Sequence, residues 1–249
     1  MFVILWRWKI KLILDTKDNM LDTKINNDNT GASPANRLKV VDLFCGCGGM
    51  SLGFQNAGFN IIAAFDNWNP AVSVYRMNFN HPIYEQDLAD KDVQMDIKSM
   101  TPNVIIGGPP CQDFSSAGHR NLNLGRATLT TTYCDIVTST LPKYFVMENV
   151  PEIKKKGILG EIIERFKSVG YGLTSMIIDA SLCKVPQARK RYVLLGCLGA
   201  EDGFMQSYLE EDLSDKPMTM HDYFGDSLGV EYYFRVPRSY KRRGVFSIY

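Results

Sequence analysis

The sequence is short of the residues that build metal centres. It has three histidines among 249 residues, and none of its six cysteines forms a C-x-x-C pair. Zinc sites usually present their ligands in such pairs. We therefore expect no metal site, and the unpaired thiols favour a reducing, cytoplasmic setting.

The sequence also lacks a long apolar run and a strong excess of charge. Its opening, MFVILWRWKIKLIL, is apolar, but Arg7, Lys9 and Lys11 interrupt it within 14 residues, which is too short and too charged to cross a bilayer. The formal net charge is +1, so contact with nucleic acid requires a local basic patch. No membrane partner is expected.

Residues 15–37 are polar and rich in Asn and Asp, which predicts a flexible extension over 1–37, with Met20 as a conceivable start. From Leu38 onward, short apolar runs alternate with helical patterns. The strand candidates are LKVVDLF, NIIAAFD, NVIIGG, KYFVMEN, LTSMIIDA and RYVLLGC, and the helix candidates are SLGFQNAGF, PAVSVYRMNF and GILGEIIERFKSVGYG. This alternation predicts an α/β domain with a mostly parallel sheet.

The first strand runs into a glycine-rich turn, VVDLFCGCGGMSLGF at 40–54. Glycines let the backbone approach a ligand, and Asp66, twenty residues after Gly46, is placed to bond ribose hydroxyls. Asp42 would repel a pyrophosphate, and Ser51 replaces the third glycine of a dinucleotide fingerprint. The cationic S-adenosylmethionine therefore fits better than NAD, although a plain tight turn remains an alternative.

A second motif, GGPPCQDFSSAG at 107–118, stiffens the backbone ahead of Cys111. Such a cysteine is either a buried filler or a nucleophile presented at a fixed angle. Further on, Glu148 and Asn149 follow an apolar strand, where a partly desolvated carboxyl could serve as a general acid or lie exposed and inert.

A third motif, PQARKRYVLLG, carries three polar residues at alternate positions as the chain enters another strand. Period-two spacing points Gln187, Arg189 and Arg191 to one face. A polar, cationic face that leads into a buried strand calls for an anionic partner.

Together, FxGxGG, PPCQ, ENV and QxRxR resemble the motifs of the DNA (cytosine-5) methyltransferase family, over roughly residues 38–200. The resemblance implies a Rossmann-like, S-adenosylmethionine-dependent methyltransferase fold. Cys111 would attack C6 of a cytosine flipped out of duplex DNA, and Glu148 would protonate N3. Asn149 would brace the loop at Pro110.

The remaining roles also follow from the resemblance. Arg189 and Arg191 would hold the base's O2 and nearby negative charge, with Gln187 in support. Asp66 stands where Glu is common and Asn67 where an aromatic often follows, so Trp68 could supply the missing ring beside the adenine. The implied cofactor residues are Phe44, Gly46, Gly48, Gly49, Asp66, Asn67, Trp68, Asp87, Leu88, Pro110 and Leu129.

The chain's last residues, VEYYFRVPRSYKRRGVFSIY, resemble the start of the family's target-recognition region, which assigns 201–249 to a linker and an incomplete part of that region. A basic cluster interleaved with aromatics suits the phosphate backbone of DNA, although a solvated tail is the alternative. Its members are Arg235, Arg238, Lys241, Arg242 and Arg243.

The family's remaining recognition region and closing helix do not follow in this chain. We expect a second polypeptide to supply them in a split restriction-modification enzyme, with a truncated fragment as the alternative. Rival functions are an RNA cytosine methyltransferase, a non-catalytic partner that binds DNA or cofactor, and, more remotely, a dinucleotide oxidoreductase.

Overall fold

The computed structural model describes residues 37–110 and 129–225. The predicted N-terminal extension up to residue 36, Cys111 and the basic cluster at 235–243 lie outside these ranges. The predicted domain boundary at residue 200 stays a prediction.

The described residues form one sheet of seven strands, in the order β3-β2-β1-β4-β5-β7-β6. β1 to β5 pair in parallel, whereas β7 runs antiparallel to both of its neighbours. The expected mostly parallel sheet is confirmed. The strands are β1 Lys39–Leu43, β2 Asn60–Asp66, β3 Ile83–Glu85, β4 Val104–Gly107, β5 Tyr144–Asn149, β6 Tyr171–Asp179 and β7 Lys190–Leu198.

Local sequence signals set several helix ends. Pro70 occupies the first turn of α2, where its missing N–H costs nothing. Asp90 caps α3 by accepting a hydrogen bond from the N–H of Asp92 at 2.9 Å. The helices are α1 Gly49–Asn56, α2 Asn69–Asn78, α3 Lys91–Ser99, α4 Leu129–Thr140, α5 Gly157–Ser168, α6 Gln206–Glu211 and α7 Met220–Phe224, with short 3-10 turns at Pro151–Lys155 and Ala180–Cys183.

The central strands β1, β4 and β5 and most of β7 are buried on both faces, which explains why they are continuous apolar runs, whereas the edge strand β3 is largely exposed. Alternate residues of β1 and β4 point to opposite sides: Val41 and Ile105 pack with α3, α4 and α5, whereas Val40 and Ile106 pack with α1. None of the described helices has the length and apolarity needed to cross a bilayer.

The topology gathers the functional segments at one edge. β1 and β4 are neighbours, but the chain leaves β1 towards β2 and leaves β4 towards β5, so a crevice opens between their carboxyl ends. Ligands of open α/β sheets bind at such a switch point.

Candidate active site

The turn after β1 contains three residues in the left-handed region of the backbone, which glycine adopts readily and other residues rarely adopt. Phe44, Gly46 and Gly48 have φ of 55°, 54° and 89°. A Cβ on Gly48 would lie 2.2 Å from Cε2 of Phe79, so glycine is required there for both conformation and space. A left-handed conformation is rare for a bulky residue such as Phe44 and marks this turn as functional.

Asp66 ties this turn to the next strand and helix. Its Oδ2 accepts a hydrogen bond from the N–H of Gly46 at 2.8 Å, and its Oδ1 accepts one from the N–H of Trp68 at 2.9 Å. Each carboxylate oxygen keeps a further lone pair for a ribose hydroxyl. Trp68 is 64% exposed, so its ring is available to an adenine.

The other cofactor candidates line the same edge. Asp87 is exposed and its Oδ1 accepts a hydrogen bond from the N–H of Ala89 at 2.9 Å, while Leu88 is buried. Leu129 begins α4 and is half-buried. Asn67 and Pro110 are exposed. A glycine turn, a ribose-binding acid and apolar neighbours fit S-adenosylmethionine.

Beneath the turn lies a polar network that the sequence did not reveal. Asp42 is fully buried, and its Oδ2 accepts hydrogen bonds from Ser51 Oγ at 2.7 Å and from Ser51 N at 3.1 Å. Tyr75 donates to Ser51 Oγ at 2.6 Å and lies 2.5 Å from His81 Nε2. Burial raises the pKa of Asp42 to about 7, although the hydrogen bonds from Ser51 oppose the shift.

The carboxyl end of β5 clamps the beginning of the Pro-Cys segment. Asn149 Nδ2 donates to the carbonyl of Pro109 at 2.9 Å, and Asn149 Oδ1 accepts from the N–H of Val150 at 2.8 Å. We expected the contact at Pro110; the structure places it on the preceding carbonyl, which belongs to the peptide that joins the two prolines. A Cβ on Gly108 would lie 3.1 Å from Glu148 Oε2, so the two segments approach closely.

Glu148 places a carboxyl group at the carboxyl end of β5. Its Oε1 lies 2.8 Å from Arg191 Nε, and the two side chains are 17% and 20% exposed. Burial raises the pKa of Glu148 more than the nearby Arg191 and Arg189 lower it. The carboxyl group therefore holds its proton to a higher pH than an ordinary glutamic acid, as a general acid requires.

The arginine segment departs from the predicted alternation. β7 begins at Lys190, so only Arg191 lies within the strand. Before it, the N–H of Gln187 donates to the carbonyl of Val185 at 2.7 Å in a tight turn. Gln187 Oε1 is buried and has no hydrogen-bond partner among the described residues. Gln187 and Arg189 therefore precede the strand and do not share its period-two alternation, although the charge of Arg189 still acts on Glu148.

Sequence reasoning also missed cations at the same edge. Lys154 and Lys155 follow β5 and Lys184 follows β6, and all three are exposed. Because β5 and β6 both run antiparallel to β7, their carboxyl ends point the same way. These residues lie in short 3-10 turns or next to one, where no helical or strand periodicity marks a face.

Comparison with known proteins agrees with this geometry. The family model for C-5 cytosine-specific DNA methylases matches residues 38–240. The chain is 57% identical over 212 residues to the Type II methyltransferase M.HindV of Haemophilus influenzae, covering 85% of this chain and 70% of that protein. It is 48% identical to the Type II methyltransferase M.HgiDI of Herpetosiphon aurantiacus, covering 85% and 69%.

Solved structures share the fold. A putative DNA modification methyltransferase encoded within an Escherichia coli prophage superposes with a TM-score of 0.57 at 27% identity, covering 74% of this chain and 53% of that one. The Dnmt2 methyltransferase of S. pombe superposes with a TM-score of 0.56 at 22% identity, covering 66% and 50%.

The seven-stranded sheet with its antiparallel β7 and glycine turn defines an S-adenosylmethionine-dependent methyltransferase. More specifically, the chain belongs to the family of C-5 cytosine-specific DNA methylases. It is a DNA (cytosine-5) methyltransferase, and its methyl donor is S-adenosylmethionine.

Proposed function

We propose that this chain methylates a cytosine flipped out of duplex DNA, through a transient covalent bond between Cys111 and C6 of the base. The observation that carries the proposal is that two adjacent residues at the end of β5, Glu148 and Asn149, both contact the segment that leads to Cys111. Asn149 clamps the carbonyl of Pro109, two residues before Cys111, while Glu148 presents a carboxyl group of raised pKa beside Gly108. An acid and a braced nucleophile loop are what this chemistry needs.

The reaction follows from the electronics of cytosine. C5 is too electron-poor to accept a methyl group directly, so the Cys111 thiolate adds to C6 while Glu148 gives a proton to N3. The ring then becomes an enamine with a nucleophilic C5. Bound S-adenosylmethionine supplies a methyl group on a sulfonium. After C5 has taken the methyl group, the C5 proton passes to a water molecule, the thiolate leaves C6 and the N3 proton returns to Glu148, which restores the aromatic ring.

The arginines have separable tasks. Arg191 uses Nε on Glu148 and donates from Nη1 to the carbonyl of Lys190 at 2.7 Å, so its guanidinium is oriented in advance. Its Nη2 remains for O2 of the base. Arg189 adds positive charge that would stabilise the anionic character of the attacked ring.

Base flipping is part of the proposal because C5 and C6 are covered in a stacked duplex. The exposed Lys154, Lys155 and Lys184, and the basic cluster at 235–243, support contact with the phosphate backbone. Since M.HindV and M.HgiDI are named Type II methyltransferases, we also propose a role in restriction-modification.

A second polypeptide for target recognition stays a prediction. Affinity purification of the tagged chain from its native host tests it, and we expect a stoichiometric partner that restores sequence-specific methylation. Specific methylation of duplex DNA by the purified chain alone would contradict it.

Trapping tests the covalent mechanism. Duplex DNA carrying 5-fluorocytosine cannot lose fluorine from C5, so the methylated enzyme–DNA adduct should survive denaturing electrophoresis. We expect an adduct with the wild-type chain purified together with its partner polypeptide and none with Cys111→Ser, whose cofactor binding should persist. Methylation of an exocyclic nitrogen, or an adduct formed equally by Cys111→Ser, would refute the mechanism. RNA of the same sequence, run in parallel, tests the rival substrate.

A further inference from the structure

Four side chains form a continuous hydrogen-bonded series from the molecular surface to the buried Asp42, which lies beneath the glycine turn after β1 (the cofactor turn). The series runs from the partly exposed His81 through Tyr75 and Ser51 to Asp42, with successive distances of 2.5, 2.6 and 2.7 Å. Tyr75, Ser51 and Asp42 are each 0% exposed. The reaction proposed above uses none of these groups as an acid, base or nucleophile.

When Asp42 is ionised, its carboxylate can only accept, and the direction of the hydrogen bonds along this chain is then determined. A hydroxyl group has one proton, and Ser51 gives its proton to Asp42 while Tyr75 gives its own to Ser51. Tyr75 can then only accept from His81. His81 must therefore carry a proton on Nε2, which fixes the tautomer of its neutral ring.

The same side chains form the wall behind the glycine turn. The rings of Tyr75 and Phe79 lie 4.4 Å apart and those of Phe79 and His81 lie 5.1 Å apart, between centroids. A Cβ on Gly48 would approach Tyr75 Cε2 to 2.9 Å and Phe79 more closely. The wall therefore restricts the position of the Gly48 backbone, and the hydrogen bonds to Ser51 restrict the first turn of α1.

We propose that Tyr75 and His81 are positioning residues for cofactor binding. They act through Ser51 and Asp42, which hold the end of β1 against the start of α1. The aligned hydrogen bonds also polarise the Ser51 hydroxyl towards Asp42 and so favour the ionised carboxylate. Once ionised, Asp42 places a negative charge beneath the turn, which attracts a cationic ligand such as S-adenosylmethionine. The inference rests on cofactor binding at this turn and is independent of the cysteine chemistry.

Tyr75→Phe tests the inference because it keeps the ring and removes only the hydroxyl. We expect the dissociation constant for S-adenosylmethionine, measured by calorimetry on the whole chain, to rise about tenfold, because the buried Ser51 hydroxyl loses the hydrogen bond from Tyr75. KM for the cofactor should rise in parallel, while kcat at saturating cofactor stays near the wild-type value. The binding experiment needs no DNA, so failure of the methylation mechanism would not affect it.

Tyr171→Phe is the matched control. Tyr171 is also a buried tyrosine, and its hydroxyl donates to the carbonyl of Pro142 at 2.5 Å, at the opposite end of the sheet. Its loss should lower stability without changing cofactor affinity. Equal weakening by Tyr75→Phe and Tyr171→Phe would show a general loss of stability and overturn the inference.

His81 supplies the second readout. Nitrogen-15 NMR of the imidazoles distinguishes the tautomers, and the chain has only three histidines, so the His81→Gln spectrum identifies the His81 signals. We expect the Nε2–H tautomer in the wild type and a mixture in Tyr75→Phe. His81→Gln keeps an N–H donor and should bind cofactor more tightly than His81→Leu. A mixed tautomer in the wild type, or equal affinities of the two His81 variants, would contradict the proposal.

Discussion

The Glu148 carboxylate and the Arg191 guanidinium meet at 2.8 Å between neighbouring strands that run in opposite directions. The reversed direction of β7 matters for this contact. Because β7 is antiparallel to β5, its amino end lies at the carboxyl end of β5, and Arg191 is the second residue of β7. A parallel strand in that position would have carried its first residues to the far edge of the sheet. The antiparallel direction of β7 therefore places Arg191 next to Glu148.

Replacing this acid should disable methyl transfer and change its pH dependence. Since burial raises the pKa of Glu148, the protonated form that donates to N3 persists to a higher pH than in an exposed glutamic acid and is lost as the pH rises further. The single-turnover rate of the wild type should therefore fall on the alkaline side. Glu148→Gln should be about 10²–10⁴-fold slower, the usual contribution of a general acid, and should lack that alkaline decline.

Glu152→Gln is the matched control for this prediction. Glu152 is exposed, four residues further along the chain, so its loss should leave both the rate and the pH profile close to the wild type. An alkaline decline that persists in Glu148→Gln would assign the titration to another group.

Removing the clamp on the Pro-Cys segment should affect stability and catalysis together. Asn149→Ala leaves the buried carbonyl of Pro109 without its donor, which costs about 1–3 kcal/mol of unfolding free energy. Methyl transfer by the folded variant should also slow, because the loop that carries Cys111 loses its anchor. Urea unfolding and single-turnover assays measure the two effects.

Asn103→Ala separates stability from catalysis. Asn103 Oδ1 accepts a hydrogen bond from the N–H of Lys39 at 2.8 Å at the opposite edge of the sheet. This variant should lose stability but keep the wild-type rate per folded molecule. If Asn149→Ala keeps that rate as well, the contact is purely structural.

Six of the seven strands were predictable from sequence because their residues are largely buried, whereas the short and largely exposed edge strand Ile83–Glu85 was not predicted. NIIAAFD, for example, forms a strand over all seven of its residues, Asn60–Asp66. α3 was not predicted: KDVQMDIKS buries only Val93, Gln94 and Ile97, so its apolar face is narrow. The reversed direction of β7 could not be predicted either, since direction depends on the path of the connection and not on hydrophobic pattern.

Local motifs predicted the residues of the candidate site better than they predicted the buried residues that hold those residues in place. The glycine turn and Glu148 stand out because polar or flexible residues follow apolar strands. Tyr75 does not stand out, because an aromatic on the inner face of a helix has the pattern of an ordinary core residue. Its hydroxyl becomes meaningful only when the fold brings Ser51, 24 residues earlier in the chain, within 2.6 Å.

Two glycines of the cofactor turn separate backbone strain from steric clash. Gly46 and Gly48 both have positive φ, but a Cβ on Gly46 meets no atom within 4 Å, whereas one on Gly48 meets Phe79 and Tyr75. Gly46→Ala should cost about 1–2 kcal/mol of unfolding free energy, from the left-handed backbone alone. Gly48→Ala should cost clearly more, because the rings must also move. Denaturant unfolding of both variants measures the difference in unfolding free energy. Equal losses of unfolding free energy would mean that the rings of Tyr75 and Phe79 move aside without cost.

The buried Asp42 should impose a pH-dependent cost on folding. Its pKa is about 7 in the folded chain, against 3.8 for a freely solvated aspartic acid, so between these values the folded state holds a proton that the unfolded chain has lost. Wild-type stability should therefore fall relative to Asp42→Asn as the pH rises from about 4 to 7, by roughly 4 kcal/mol in total at 1.36 kcal/mol per pKa unit. Urea unfolding at several pH values measures this difference. Ser51→Ala removes hydrogen bonding that lowers the pKa of Asp42, so its decline should continue above pH 7. Parallel profiles for the wild type and Asp42→Asn would show that Asp42 is ionised throughout this range, with a counter-charge or water on its Oδ1.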